Sequence, residues 1–394
     1  MRKTITIGDL GTIITGKTPP TTNKNYYGDY AVFIKPTDIS EQSKYTYETE
    51  EMYSKLAAEK YESSLIPKGA ICVPCIGTIG TKMTMAPCDC YTNQSINSIV
   101  CNENYDNEYV YYLIKNFLPG LKAYNLGTAS GREYVSKSNF EKIELVAEQD
   151  KTIQKRIGVI LSRYDTLIEN YQKQIKLLEE AAQRLYKEWF VDLHFPGHET
   201  TKIIDGVPEG WEKKPISQLG EYLNGFAFKP SDWQESGKPI IKIKEMGNGV
   251  SNDTPRNNGE RVPVKYLVKA GDLLFSWSAT LMVIVWSGEE GWLNQHLFKV
   301  TPAKGIGREF LLQSISNTIE EFQNLTTGST MKHIQRNKLD QVFVNVPDDE
   351  IMTSYSDLAE CMRNQILHLS SQIRLLTEAR DRLLPKLMGG EIQV

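Results

Sequence analysis

Two long stretches of this chain place apolar residues at alternating steps of four and three. From Ile153 the series reaches Ile157, Ile160, Tyr164, Leu167, Tyr171, Gln174, Leu178, Ala181 and Leu185. From Ile351 it reaches Tyr355, Leu358, Met362, Gln365, Leu369, Gln372, Leu376, Ala379 and Leu383. A sustained 3.5-residue period puts such residues on one stripe of a helix, and Glu, Lys and Arg crowd the remaining positions. The pattern predicts two long helices that pair antiparallel as a coiled coil. The expected seam sets Ile157, Tyr164, Leu167, Leu178 and Leu185 against Leu358, Met362, Leu369, Leu376 and Leu383. Gln174 and Gln372 fall at equivalent steps, where a buried polar contact would fix register or an exposed flank would carry them. A helix from about residue 150 to 190 would be about 60 Å long, a spacer. Pro385 is expected to end or kink the second helix ahead of Gly389 and Gly390, whereas the first can continue towards Trp189 and Phe190.

Ahead of each helix the period shortens. Runs such as AVFIK, GAICV and DLLFSW, punctuated by Gly and Pro, predict a mixed, strand-rich domain. These regions repeat. IGDLGTIITG (7 to 16) returns as ISQLGEYLNG (216 to 225), each with glycines five apart, and LIPKGAICVP (65 to 74) returns as LVKAGDLLFS (267 to 276). NQS at 93 to 95 returns as NQH at 294 to 296, and YVSKSNFEKIEL (134 to 145) as HIQRNKLDQVFV (333 to 344). IKLLEEA (175 to 181) returns as IRLLTEA (373 to 379). Five landmarks in one order define a duplicated unit of about 200 residues whose interior tolerates different loop lengths. The fold class expected is α+β: two similar strand-rich domains, joined by two long antiparallel helices with pseudo-twofold symmetry.

The 394 residues allow two or three domains, and 40% hydrophobic with 24% charged residues describes a folded globular chain. The N-terminus has no sustained apolar core, and the longest apolar run, LMVIVW at 281 to 286, is too short to span a bilayer. A cytoplasmic location without membrane contact is expected. Six cysteines are too few for a disulfide scaffold and read as reduced thiols. A net charge of −4 argues against a nonspecific polyanion binder, so any nucleic-acid contact must be local. Thr326 to Leu339 is the least acidic neighbourhood, carrying Lys332, His333, Arg336 and Lys338 with no carboxylate. It suits a nearby anion, or a solvated loop.

Two motifs invite an enzymatic reading. GTIITGKT, from Gly11 to Thr18, matches the phosphate-cradling pattern GxxxxGK[ST]. Pro19 and Pro20 follow at once and oppose the helix that motif requires, and the second copy has Phe226 and Ala227 in place of Lys17 and Thr18. The glycines are therefore assigned to the scaffold. Cys72, Cys75, Cys88 and Cys90 have zinc-like spacing, but the duplicate lacks all four; small buried residues on strands are the better reading. Histidines at 194, 198, 296, 333 and 368 assemble into no catalytic triad or HExxH pair. No metal or catalytic residue is assigned, and a noncatalytic chain is expected.

The chain as a whole resembles the specificity subunits of type I restriction-modification systems. The resemblance rests on IGDLGTIITGKTPP at the start, the Lys-Gly turn and strand at 68 to 73, and GTASGREYVSKSNFEKIEL (127 to 145). RLYKEWFVDLHFPG (184 to 197) and GVPEGW (206 to 211) complete it. The sequence departs from the family pattern at AEQD (147 to 150), which lacks the usual proline, and at VPDDE (346 to 350), which lacks the usual Gln. The resemblance implies target recognition domains at 1–149 and 205–349, a linker at 196–204, and spacer helices at 150–195 and 350–394. It also implies a noncatalytic subunit that reads a bipartite site on double-stranded DNA, one half per domain. The implied partners are two modification (methyltransferase) subunits and restriction subunits. No cofactor is expected in this chain, S-adenosylmethionine belonging to the modification partner, and ATP and magnesium to the restriction partner. Base readout needs bidentate or amide side chains, and phosphates need cations and hydroxyls. On that basis the candidate DNA contacts are Lys17, Thr18, Lys35, Arg132 and Lys137 in the first domain. In the second they are Lys242, Lys244, Lys332, His333 and Arg336, with Asn294 and Gln295 less secure because Asn-Gln recurs in both copies and can instead fix a loop. Two other readings remain open: a phosphate-loop NTPase with a coiled-coil arm, and a noncatalytic coiled-coil scaffold for proteins.

Overall fold

The computed structural model describes residues 2–127, 133–251, 253–324 and 336–394. The chain divides into two compact units, Met1–Asn170 with Leu375–Val394, and Tyr171–Arg374. The division cuts through both long helices, so each unit owns a part of each.

The two units repeat one topology. In the first, the strands Gly11–Thr15, Ile96–Cys101, Ile71–Pro74 and Thr84–Met85 form an antiparallel sheet in that order. In the second, Gly220–Asn224, Leu297–Pro302, Leu273–Ser276 and Met282–Val285 do the same. Beside each sheet lies a smaller one built on a parallel pair: Ala31–Ile34 with Tyr91–Thr92, and Lys238–Ile241 with Gly291–Leu293. A terminal ladder closes each unit, Arg2–Thr6 on Glu144–Glu148 and Glu212–Pro215 on Phe343–Val346. Two apolar clusters, one per face, follow from the period-two alternation of the central strands. Ile71 and Val73 enter one cluster, and Cys72 the other. Among the described residues, no helix is long and apolar enough to cross a membrane.

Both long helices begin at an aspartate. Asp150 Oδ1 accepts from the Thr152 N–H at 2.8 Å, and Asp348 Oδ1 from the Ile351 N–H at 2.9 Å. Those caps satisfy donors left free at a helix start, and the helices run Lys151–Tyr186 and Asp349–Gly389. The first passes into a π-turn, Lys187–Val191, that buries Trp189 and Phe190. The second does not end at Pro385. Proline removes one backbone bond, but Leu384, Leu387 and Met388 are buried in the first unit's core and hold the last turn in place until Gly390, at φ 82°, stops it.

Within each unit the helices pair antiparallel. Ile157 and Leu161 share a cluster with Leu384, Leu387 and Met388 in the first unit, and Tyr186 and Trp189 meet Tyr355 in the second. The seam differs from the expected one. Leu167 and Leu358 are exposed at 40% and 51%, while their neighbours Ile168 and Ala359 are buried. The buried line runs Ile157, Leu161, Asp165, Ile168, Ala182, Tyr186 on the first helix, and Tyr355, Ala359, Arg363, Ile366, Leu369, Arg380, Leu384 on the second. Its steps average about 3.6, the period of a straight helix, so stepping at 3.5 slides onto the flank. Ile157 and Leu369 stay buried, and Tyr164, Leu178, Leu185, Met362, Leu376 and Leu383 lie half-buried beside the line. Gln174 is exposed; the buried polar contact is instead an ion pair, Arg380 with Asp165, whose carboxylate also accepts from Tyr112 Oη at 2.5 Å. In the second unit the buried pair ties the long helix to the short helix Arg308–Asn317, with Arg363 Nε to Glu309 Oε1 at 2.7 Å and Nη2 to Oε2 at 3.2 Å.

Removing one partner of such a pair strands the other charge. Arg380→Met is expected to lower unfolding free energy by about 3–5 kcal/mol in denaturant titration, whereas Asp165→Asn with Arg380→Met recovers most of it, because Asn still accepts from Tyr112. Lys115 supplies a second test. Burial pushes its ammonium from 10.5 down to about 8, against the pull of Asp165. Between those values the unfolded chain holds more protons at this site, so the contribution of Lys115 to stability rises with pH through that window. Lys115→Met is expected to remove that contribution, so the stability difference between parent and variant changes with pH across the window, measured by denaturation at points within it.

Candidate nucleic-acid interface

In each unit three backbone segments lie side by side at the edge of the parallel pair. The Lys17 N–H donates to the Thr92 carbonyl at 2.9 Å, and the Asn93 N–H donates to the Ile34 carbonyl at 3.1 Å. In the second unit Phe226 N–H donates to the Leu293 carbonyl at 2.9 Å, and Asn294 N–H to the Ile241 carbonyl at 3.1 Å. The close approach explains the second glycine of each motif. A Cβ on Gly16 would stand 2.1 Å from the Thr92 carbonyl oxygen, and one on Gly225 would stand 2.1 Å from that of Asn294. Only a residue without a side chain fits.

This frame corrects two readings. Asn294 is 6% exposed and its backbone carries the frame, accepting from Leu297 N–H at 3.0 Å while donating to Ile241, so it is a scaffold residue. Neighbouring Gln295 is half-buried against His296, Nε2 to Nε2 at 3.4 Å. The phosphate-loop reading also fails, because no helix begins at Thr18, the next being the three-residue 3₁₀ turn Lys24–Tyr26, and the Lys17 carbonyl accepts from Tyr53 Oη at 2.5 Å. The four cysteines do not converge. Cys72 and Cys90 lie in one apolar cluster, Cys75 in another, and Cys88 is exposed. Burial pushes the Cys72 and Cys75 thiols up to about 11 and about 12, as expected of packed thiols.

Of the first unit's candidates, Lys17 is exposed, reaches Ser63 Oγ at 3.4 Å, and makes no ion pair among the described residues. Thr18 Oγ1 contacts Gln94 Oε1. Lys35 is engaged by Glu50 at 2.7 Å and Glu51 at 3.2 Å, with 18% of its side chain exposed. Its ammonium in turn holds the Glu50 carboxyl below the usual range. Lys137 opens a short helix and pairs with Glu141 at 3.6 Å.

In the second unit Lys244 pairs with Asp253 at 2.5 Å and holds that carboxyl down at about 2. Lys242 is free of ion pairs among the described residues, its Nζ 4.4 Å from the centroid of the Trp233 ring. Arg336 opens a one-turn 3₁₀ helix, Arg336–Asp340. Arg132, Lys332 and His333 lie outside the described residues.

Sequence reasoning passed over several cationic and aromatic groups in the two units. Lys60 Nζ meets Tyr26 Oη at 2.6 Å and lies 4.6 Å from that ring and 5.6 Å from Tyr61. Trp233, 48% exposed, and Phe226, packed on Tyr266 at 5.6 Å, complete the set. Trp233 had a readable signal, since an indole stranded in the polar run KPSDWQESGK has no amphipathic face to join.

The sequence comparisons agree with the duplicated geometry. Residues 2–180 and 208–365 match the family profile described as Type I restriction modification DNA specificity domain. The chain is similar to the type I restriction enzyme MjaIX specificity subunit of Methanocaldococcus jannaschii, 25% identical over 98% of this chain and 93% of that protein. It is also similar to the HindI specificity subunit of Haemophilus influenzae, 34% identical over 44% of this chain and 38% of that one. Among solved structures, the type I restriction-modification S subunit from M. genitalium shares the fold at a TM-score of 0.57, with 15% identity and coverage of 98% of this chain and 96% of that one.

The carboxylates on Lys35 give the interface a test. Glu50→Gln with Glu51→Gln is expected to tighten duplex binding several-fold at low salt and to steepen the fall of affinity with salt by about one counterion, measured by fluorescence anisotropy across a salt series.

Proposed function

The chain belongs to the type I restriction modification DNA specificity family, and from that premise we propose that each unit reads one half of a bipartite site on double-stranded DNA. The observation that carries this reading is the frame built twice with the same two hydrogen bonds and glycine contact, yet holding different side chains, Lys17 in one copy and Phe226 in the other. Two copies of one reader with unlike contact residues are suited to two unlike words.

On this reading the helices set the length of the unread gap, so inserting one seam repeat in both changes the gap and leaves the words alone. The helix region docks two modification subunits, which bind S-adenosylmethionine, and restriction subunits that use ATP and magnesium join that core. The chain itself supplies recognition, and its net charge of −4 makes binding by the free subunit weak and salt-sensitive.

Selection from a random duplex library by the chain assembled with its modification partner is expected to recover a split motif. Exchanging residues 1–149 for those of a relative is then expected to replace one half of it only. Recovery of random sequence would defeat the proposal and favour a protein scaffold instead.

A further inference from the structure

Resting on that bipartite reading, we infer that positions 17 and 35 in the first unit, and 226 and 242 in the second, are where the two half-words are written. The frame makes these positions equivalent. Lys17 and Phe226 each follow the tightly packed glycine and bond the same neighbouring segment. Lys35 and Lys242 each follow the parallel strand, and each N–H is capped by an acid three residues on: Lys35 by Asp38 at 2.7 Å, Lys242 by Glu245 at 3.1 Å. Backbone positions are thus held in common while their side chains meet different chemistry.

At the first pair of positions the first unit has a lysine beside the Ser63 hydroxyl, and the second unit has an aromatic ring packed on Tyr266. At the second pair, lysine is present in both units but its surroundings are reversed. Lys35 is flanked by two carboxylates, and Lys242 lies over an indole that is half open to solvent. A lysine flanked by carboxylates offers donors for a guanine edge and acceptors for a cytosine amino group; an aromatic face with a cation offers an apolar contact for a thymine methyl beside a donor. Residues that are shared and make the same backbone bond in both frames, such as Asn93 and Asn294, cannot encode a difference between the words; a position whose residue or surroundings differ can.

The test uses the full chain assembled with its modification partner, a randomised duplex library, and sequencing of methylated sites. Lys17→Gln is expected to lower discrimination at one or more base pairs of the first unit's half-word by about tenfold, leaving the other half intact. Trp233→Ala and Lys242→Gln are expected to do the reverse, and since Trp233 and Lys242 are surface groups, unchanged melting temperatures serve as the folding control. Wild-type words in all three variants, or an equal loss of binding across both halves as phosphate positioning alone would give, would overturn the inference. If the parent complex itself recovers no split motif, the bipartite reading has failed, an outcome distinct from unchanged words in the variants.

Discussion

The first unit is completed by helix that arrives from far along the chain, Leu375–Val394, and a buried ion pair holds the join. Asp165 and Arg380 are 215 residues apart, yet both are less than a tenth exposed. Burying two charges is costly unless they meet in good geometry, so the pair tolerates only one alignment of the helices. A slip of one residue would turn Arg380 off the packed line and leave Asp165 with Tyr112 alone. Leu384, Leu387 and Met388 supply the apolar contact, which is not particular about register. The ion pair is. In the second unit a buried pair ties the long helix to a short one instead: Arg363 reaches Glu309, on the helix Arg308–Asn317, through two bonds.

A fixed join lets the strand-rich parts of the units hold their edge segments in equivalent places. The hydrogen bonds that do so involve backbone atoms only, from Lys17 to Thr92 and Asn93 to Ile34, and their counterparts. Side chains at those positions are consequently released from structural duty. Glycine is the exception, since Gly16 and Gly225 are packed against carbonyl oxygens and have no room for anything larger. A scaffold maintained by backbone contacts can change its exposed residues without changing its shape, the property a reader of many sequences requires.

Carboxylate partners set the surroundings of several candidate lysines. Lys35, Lys137, Lys238 and Lys244 all have carboxylate partners. Lys17, Lys60 and Lys242 do not among the described residues, and each sits beside hydroxyl or aromatic groups instead. A net charge of −4 is compatible with DNA recognition, because contact to a duplex depends on local groups such as these and not on the charge of the whole chain.

Duplication, element types, antiparallel helices and family were all legible in the residues, because each rests on periodicity or on order along the chain. The glycine pair was legible as scaffold for the same reason: it recurs where Lys17 does not. What the residues could not say was which flank of a helix is buried once a partner is present. Leu167 and Ile168 are both good seam residues, and only the 3.6-residue path of a straight helix against its neighbours chose Ile168. Nor could they say that Lys35 is engaged by Glu50 and Glu51, that Lys242 finds Trp233, or that Asn294 is buried. Those are contacts between segments brought together by the sheet, and a contact across a fold is decided by where the backbone goes, not by the character of either residue.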